Sequence, residues 1–173
     1  MEHIYNDIDF INIIDSIIKN KNFIKTQNTL HHGLKKLDHS IKVSYYSYLI
    51  AKKYNLDYVS VARGGILHDF FYADTNGKSF SKESYNLALN HHNIALNNSN
   101  KYFKLNDLEK DIIYKHMFPV VFTIPKYKES FLVSFIDKVI GVFEFILKAK
   151  SLFNYKVLSK VIPSFIILFS TLK

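Results

Sequence analysis

The sequence predicts an all-α fold of one domain, a helical bundle, and three observations carry that prediction. The 173 residues contain only 5 Gly and 3 Pro, so long stretches run without a breaker. Between those breakers apolar residues recur at helical spacing, and no run alternates apolar and polar as a half-buried strand does. The length is that of a single compact domain, and no repeat or linker divides it. Hydrophobic residues at 48% and aromatics at 16% supply the material for a core.

From the N-terminus, Ile4 to Lys19 places Phe10, Ile11, Ile13, Ile14, Ile17 and Ile18 on one side of an amphipathic helix. A short segment from Asn22 to Leu30 leads into His31-His32-Gly33, read as a turn. Asp38 is expected to cap a helix from His39 to about Tyr54, and Asp57 a second helix through Phe71. Ala73 to Ser81, with Asp74-Thr75-Asn76-Gly77, reads as a loop. Ser84 to Asn97 is expected to be helical, ending in Asn-rich sequence. Asn106-Asp107-Leu108-Glu109 has the spacing of a capping box and opens a helix that stops before Pro119. Ser130 to about Lys150 is a long apolar helix. The most apolar stretch is Val161 to Leu172, interrupted by Pro163 and shorter than the roughly 20 residues a bilayer span needs. It is expected as a helix or strand packed on the core.

Composition narrows the chemistry. The chain has no Cys, which excludes disulfides, thiolate-bound zinc or iron–sulfur clusters and a cysteine nucleophile. Any metal must be held by imidazole and carboxylate. The net charge of +8 comes from lysines scattered singly or in pairs, and Arg63 is the sole arginine. That pattern argues against a nucleic-acid partner, which arginine-rich tracts serve better, while remaining compatible with a small anionic substrate. The N-terminal residues Met1 to Asp7 are acidic where a signal peptide is basic, so a soluble cytoplasmic protein is expected, with no membrane partner and with a homo-oligomer left open.

Histidines and aspartates fall on the inward stripes of those helices. His39 aligns with Val43, Tyr46 and Ile50; His91 with Leu87, Ile94 and Asn98; His116 with Ile112; Asp137 with Val133, Ile140 and Glu144. The pair His68-Asp69 is set between Gly64-Gly65-Ile66-Leu67 and Phe70-Phe71. A single inward histidine is commonly a satisfied core residue, and a buried carboxylate costs several kcal/mol unless compensated. Independent reasons on five helices are less economical than one shared one. Neutral imidazole with carboxylate suits zinc, iron(II) or manganese, and ligand softness alone does not choose among them.

At these residues the sequence resembles the HD-domain metal-dependent phosphohydrolases, whose signature is a His, a His-Asp pair and a distal Asp on successive helices. His39, His68-Asp69 and Asp137 match it, with 29 residues from His39 to His68 and 68 from Asp69 to Asp137. In the two-metal branch two further histidines intervene, and His91 and His116 match in order. More narrowly, the chain looks like a group of small, single-domain bacterial HD proteins, often clostridial. It shares with them His31-His32-Gly33, Asp38-His39-Ser40, Val43-Ser44-Tyr45-Tyr46-Ser47-Tyr48, the run Ala62 to Asp69 with Ile66 for Leu, and the segment His116-Met117-Phe118-Pro119. Where that group has Thr-His-Pro, this chain has Asn90-His91-His92, so His92 competes with His91. Phe118 stands where the group has Trp.

The resemblance implies an HD-domain, phosphodiesterase-like bundle with one or two divalent ions (Fe, Mn, Zn, Co or Mg). Asp69 would bridge them, His39, His68 and Asp137 would complete the first, and His91 and His116 would hold the second. Asp69 and His68 are the catalytic pair, and a hydroxide between the ions would attack the phosphorus of a small phosphate ester or nucleotide. Arg63, five residues before His68 and so on another face of the helix, is a candidate anion fork, with a structural ion pair as its alternative. Lys138 and Lys115 flank ligand candidates and share that ambiguity, and His31 and His32 are candidates for the pocket entrance. Two further readings stay open: an HD-type di-iron oxygenase, and a non-catalytic metal- or nucleotide-binding regulatory module.

Overall fold

The structure, a computed structural model, describes residues 2–25, 30–31, 34–71 and 82–149. In chain order these form α1 (Glu2–Tyr5), α2 (Ile8–Ile18), α3 (Lys21–Ile24), β1 (Leu30–His31), β2 (Leu34–Lys35), α4 (Lys36–Lys53), α5 (Tyr58–Leu67), α6 (Lys82–Tyr102), α7 (Asp107–Lys115) and α8 (Lys128–Ala149). The fold is all-α apart from a two-residue antiparallel ladder, Leu30 opposite Lys35 and His31 opposite Leu34. His32, Gly33, the loop expected at 73–81 and the apolar stretch 161–172 lie outside the described residues. No helix among the described residues is long and apolar enough to cross a membrane.

Side-chain caps set the starts of α2, α3, α5 and α7. Asp7 accepts from the Phe10 amide at 3.0 Å, which divides the expected first helix into α1 and α2. Asp57 caps α5 through the Ser60 amide at 2.9 Å. Asn106 and Glu109 close the capping box on α7, at 2.7 and 2.9 Å. Asp38, by contrast, lies inside the first turn of α4, because the chain is already helical at Lys36 on leaving the ladder. Its charge there still complements the helix dipole. The helix expected to continue to Phe71 stops at Leu67, and α6 runs on through the Asn-rich stretch to Tyr102. Asn98 there donates to the Phe70 carbonyl at 2.9 Å, so a residue read as a terminator serves as a tertiary tie.

The core is in two parts around the α4–α5 pair. Phe10, Ile14 and Ile17 of α2 meet Tyr45, Tyr48, Ile66 and Phe70 on one side. On the other, Val43 and Val61 meet Ile112 of α7 and Val133, Ile136 and Ile140 of α8. Gly64 and Gly65 permit the close approach. A Cβ on Gly64 would stand 2.8 Å from Ile112 Cγ2, and one on Gly65 3.0 Å from the Ser44 backbone. The ends of α5 and α7 and the inner face of α8 thereby converge on α4.

Candidate metal centre

His68 is the C-cap of α5 and His116 the C-cap of α7. Each ring turns back on its own helix. Nδ1 of His68 lies 2.7 Å from the Gly65 carbonyl, and Nδ1 of His116 lies 2.7 Å from the Ile113 carbonyl, three residues earlier in both cases. A carbonyl only accepts, so each Nδ1 is assigned the proton and each Nε2 of the neutral ring keeps its lone pair. One contact thus satisfies a terminal helix carbonyl and aims a ligand nitrogen inward.

Four other side chains meet those two nitrogens. His39 of α4 spans two carboxylates of α8, with Nε2 3.0 Å from Asp137 Oδ1 and Nδ1 2.9 Å from Glu144 Oε2. Asp69 Oδ1 is 3.2 Å from His91 Nε2 and 3.6 Å from His116 Nε2, and those two nitrogens are 2.9 Å apart. His68 Nε2 is buried without a hydrogen-bond partner, with Asp137 Oδ1 at 3.6 Å and Asp69 Oδ2 at 3.9 Å. Two overlapping groups, His39–His68–Asp137 and His68–Asp69–His116, hold their donor atoms within 4.8 Å of one another.

The electrostatics suit the cluster to a cation. Burial, helped by His68 and against the pull of Asp69, keeps the His116 ring well below the usual imidazole range and therefore neutral. Burial alone would raise Asp137, but the His39 and His68 imidazoles and the Lys138 charge hold its carboxyl well below the usual carboxylate range. Burial also opposes charge on His39, yet Asp137 and Glu144 outweigh it and lift the ring to about 10. Coordination at His39 Nε2 therefore requires loss of that proton. A buried, partnerless imidazole nitrogen beside the ionised Asp137 carboxylate is a fit for a divalent metal without thiolate ligands.

The model of the HD domain family matches residues 37–140, a span that includes all six of these histidines and aspartates. The chain belongs to the HD-domain family. No curated protein and no solved structure matches it. The HD superfamily consists mostly of metal-dependent hydrolases, so the match and the donor cluster agree on metal chemistry.

Around the HD centre the remaining candidates separate. Arg63 is drawn away from it: Nε donates to Glu109 Oε1 at 2.5 Å and a terminal nitrogen to the Lys104 carbonyl at 3.2 Å. The structure shows the ion-pair alternative there, tying α5 to α7. Lys138 donates to Asp137 Oδ2 at 2.9 Å and to the His116 carbonyl, so it braces two ligand candidates. Lys115 lies over the Tyr114 ring. His92 turns to Asn93 and Tyr114, leaving His91 as the histidine of that pair in the cluster. His31 is in β1, and His32 lies outside the described residues.

Two contributing residues were not among the sequence candidates. Glu144, 2% exposed, fixes His39 Nδ1 and is itself held by Lys42 Nζ at 2.6 Å. Its position seven residues after Asp137 on one stripe is a signal for it. Lys36, also 2% exposed, donates to the Phe71 carbonyl at 3.0 Å and lies against the Phe71 ring. Burial lowers its amine to about 8, against the opposing charge of Asp69. As one of the paired lysines Lys35-Lys36 it carries no sequence signal of burial.

Proposed function

We propose that this HD domain is a metal-dependent phosphohydrolase that cleaves a small phosphate ester or nucleotide. The observation that carries the reading is His68 Nε2: buried, aimed by its Nδ1 contact, and without a hydrogen-bond partner beside the ionised Asp137 carboxylate. In this reading His39, His68, Asp69 and Asp137 hold a first ion, and Asp69 with His91 and His116 a second. A divalent metal bound there supplies a water acidic near neutral pH and positive charge against the phosphoryl oxygens.

The protein's own part is orientation and burial. The Gly65 and Ile113 carbonyls select the tautomers of His68 and His116, and Glu144 does the same for His39. Lys138 takes Asp137 Oδ2, leaving Oδ1 toward His39 and His68. The apolar helices around the cluster lower its effective dielectric, which strengthens attraction for an anionic substrate.

The test is a panel of nucleotides and phosphomonoesters with protein loaded with Mn²⁺, Fe²⁺, Co²⁺, Zn²⁺ or Mg²⁺. Release of phosphate or a nucleotide product with at least one ion is expected. Folded, metal-loaded protein that turns over no member of the panel would overturn the hydrolase reading. Anaerobic iron loading followed by spectroscopy on exposure to air covers the di-iron oxygenase alternative.

A further inference from the structure

The inner face of α8 carries Asp137 and Glu144, while its outer face is a narrow apolar seam. Phe131, Phe135, Val142 and Phe145 lie at i, i+4, i+11 and i+14, with one polar position, Lys138, at i+7. The four apolar residues are 44%, 60%, 51% and 64% exposed. Lys138 turns its amine back to Asp137 Oδ2 and the His116 carbonyl, leaving its aliphatic stem along the seam. At the N-terminal end of α8 the seam widens, because Phe118 packs on both Phe131 and Phe122, and Phe122 and Val120 are 80% and 66% exposed. At about 200 Å² per phenylalanine, the outward parts of Phe122, Phe131, Phe135 and Phe145 alone come to about 500 Å². That is toward the upper end of the apolar patch a monomer leaves open. With Val120, Val142 and the Lys138 stem, the face supplies most of the roughly 800 Å² that each partner brings to a standard interface.

We propose that this face is a homodimer interface, closed by α8 of a second copy running antiparallel. Alternating steps of four and three residues are the 3.5-residue repeat of a two-helix seam, narrower than the face a helix turns to a sheet or a core. The seam also reads nearly the same in both directions. Phe131 and Phe145 each stand seven residues from Lys138, and Phe135 and Val142 stand three and four residues from it. An interface between identical chains across a two-fold axis requires a patch that can meet itself reversed. Two helices crossing at Lys138 set the Phe131 end of each copy against the Phe145 end of the other. The Phe118–Phe122 patch, beside Phe131, then adjoins the same end of the partner. A shallow crossing of about 20° keeps such a seam in contact along its length of about 21 Å. The interface backs onto the candidate metal centre, since Ser134 and Lys138 of α8 both hold the His116 carbonyl.

The test is the mass of the full-length protein in solution. Sedimentation equilibrium at micromolar concentration is expected to give twice the mass of the chain. Phe135→Lys with Val142→Lys, both outside the core, should halve that mass and leave the circular dichroism unchanged. Because the chain has no cysteine, the direction of the helices can be read from single substitutions. In an equilibrated mixture a short bis-maleimide should join Phe131→Cys chains to Phe145→Cys chains, and it should join neither variant to itself. Self-joining of each variant would mean parallel helices and overturn the arrangement. A dimer that Phe135→Lys with Val142→Lys leaves intact would place the interface elsewhere and overturn the proposal. So would wild type at the mass of one chain throughout, with flotation on anionic phospholipid vesicles then assigning the face to a membrane surface.

Discussion

Glu144 and Asp137 compete for one imidazole, and their places on it differ in consequence. Asp137 meets His39 Nε2, on the side that faces the cluster, while Glu144 meets Nδ1 from behind. Glu144→Gln keeps the shape and removes the charge that makes Nδ1 a strong donor. Its expected effect is a metal affinity weaker by about 10–100-fold with unchanged helical content, measured by competitive metal titration and circular dichroism. Lys36 makes a different prediction. Its folded pKa of about 8 lies below the ordinary lysine value of 10.5, so between those pH values the unfolded chain binds the extra proton and stability rises with pH. The shift corresponds to about 3 kcal/mol. The stability of wild type relative to Lys36→Met should therefore improve between pH 8 and 10.5, as read from denaturant midpoints. A flat difference would contradict the burial of a charged amine. The ligand candidates were legible because each lies on an apolar stripe or in an apolar run. The partner of Glu144 was not, since a stripe does not name the helix it faces, and Lys36 looked like any other surface lysine.

The helix ends at the centre are set by side chains, which is why the sequence pattern places them poorly. Periodicity carries α5 to Phe71, but the ring of His68 takes the Gly65 carbonyl and the Phe71 amide takes the Asp69 carbonyl at 2.7 Å. The capping box at Asn106 was legible since both halves of it are local. The ladder at 30–35 was not, because two residues per strand leave no alternation to read. The glycines test how tightly the elements are set. Gly65→Ala would press a Cβ on the Ser44 backbone and should cost about 1–3 kcal/mol, with weaker metal binding as the His68 carbonyl partner shifts. Gly141→Ala, in the middle of α8 with nothing within 4 Å of a Cβ, should be stabilising by about 0.5–1 kcal/mol. Thermal melts of the two variants separate packing from helix propensity.

Across the molecule, the α4–α5 pair joins the two parts of the core, and the Arg63–Glu109 pair adds a polar tie between α5 and α7. Arg63→Met leaves Glu109 buried without its cation and should cost about 3–5 kcal/mol while the metal affinity of the folded protein is unchanged. The bundle architecture and the inward histidines could be read from spacing, because helical pattern and burial coincide. The use of Arg63 could not, since its partner is 46 positions away. Six side chains from five regions of this bundle are proposed to form one metal centre. Its most direct test is metal content per chain after anaerobic loading and gel filtration, for the wild type and for Asp69→Ala. One or two ions retained by the wild type, and loss of most of that metal in a folded Asp69→Ala variant, are expected. A folded wild type that retains no metal, or a variant that retains as much as the wild type, would contradict that proposal.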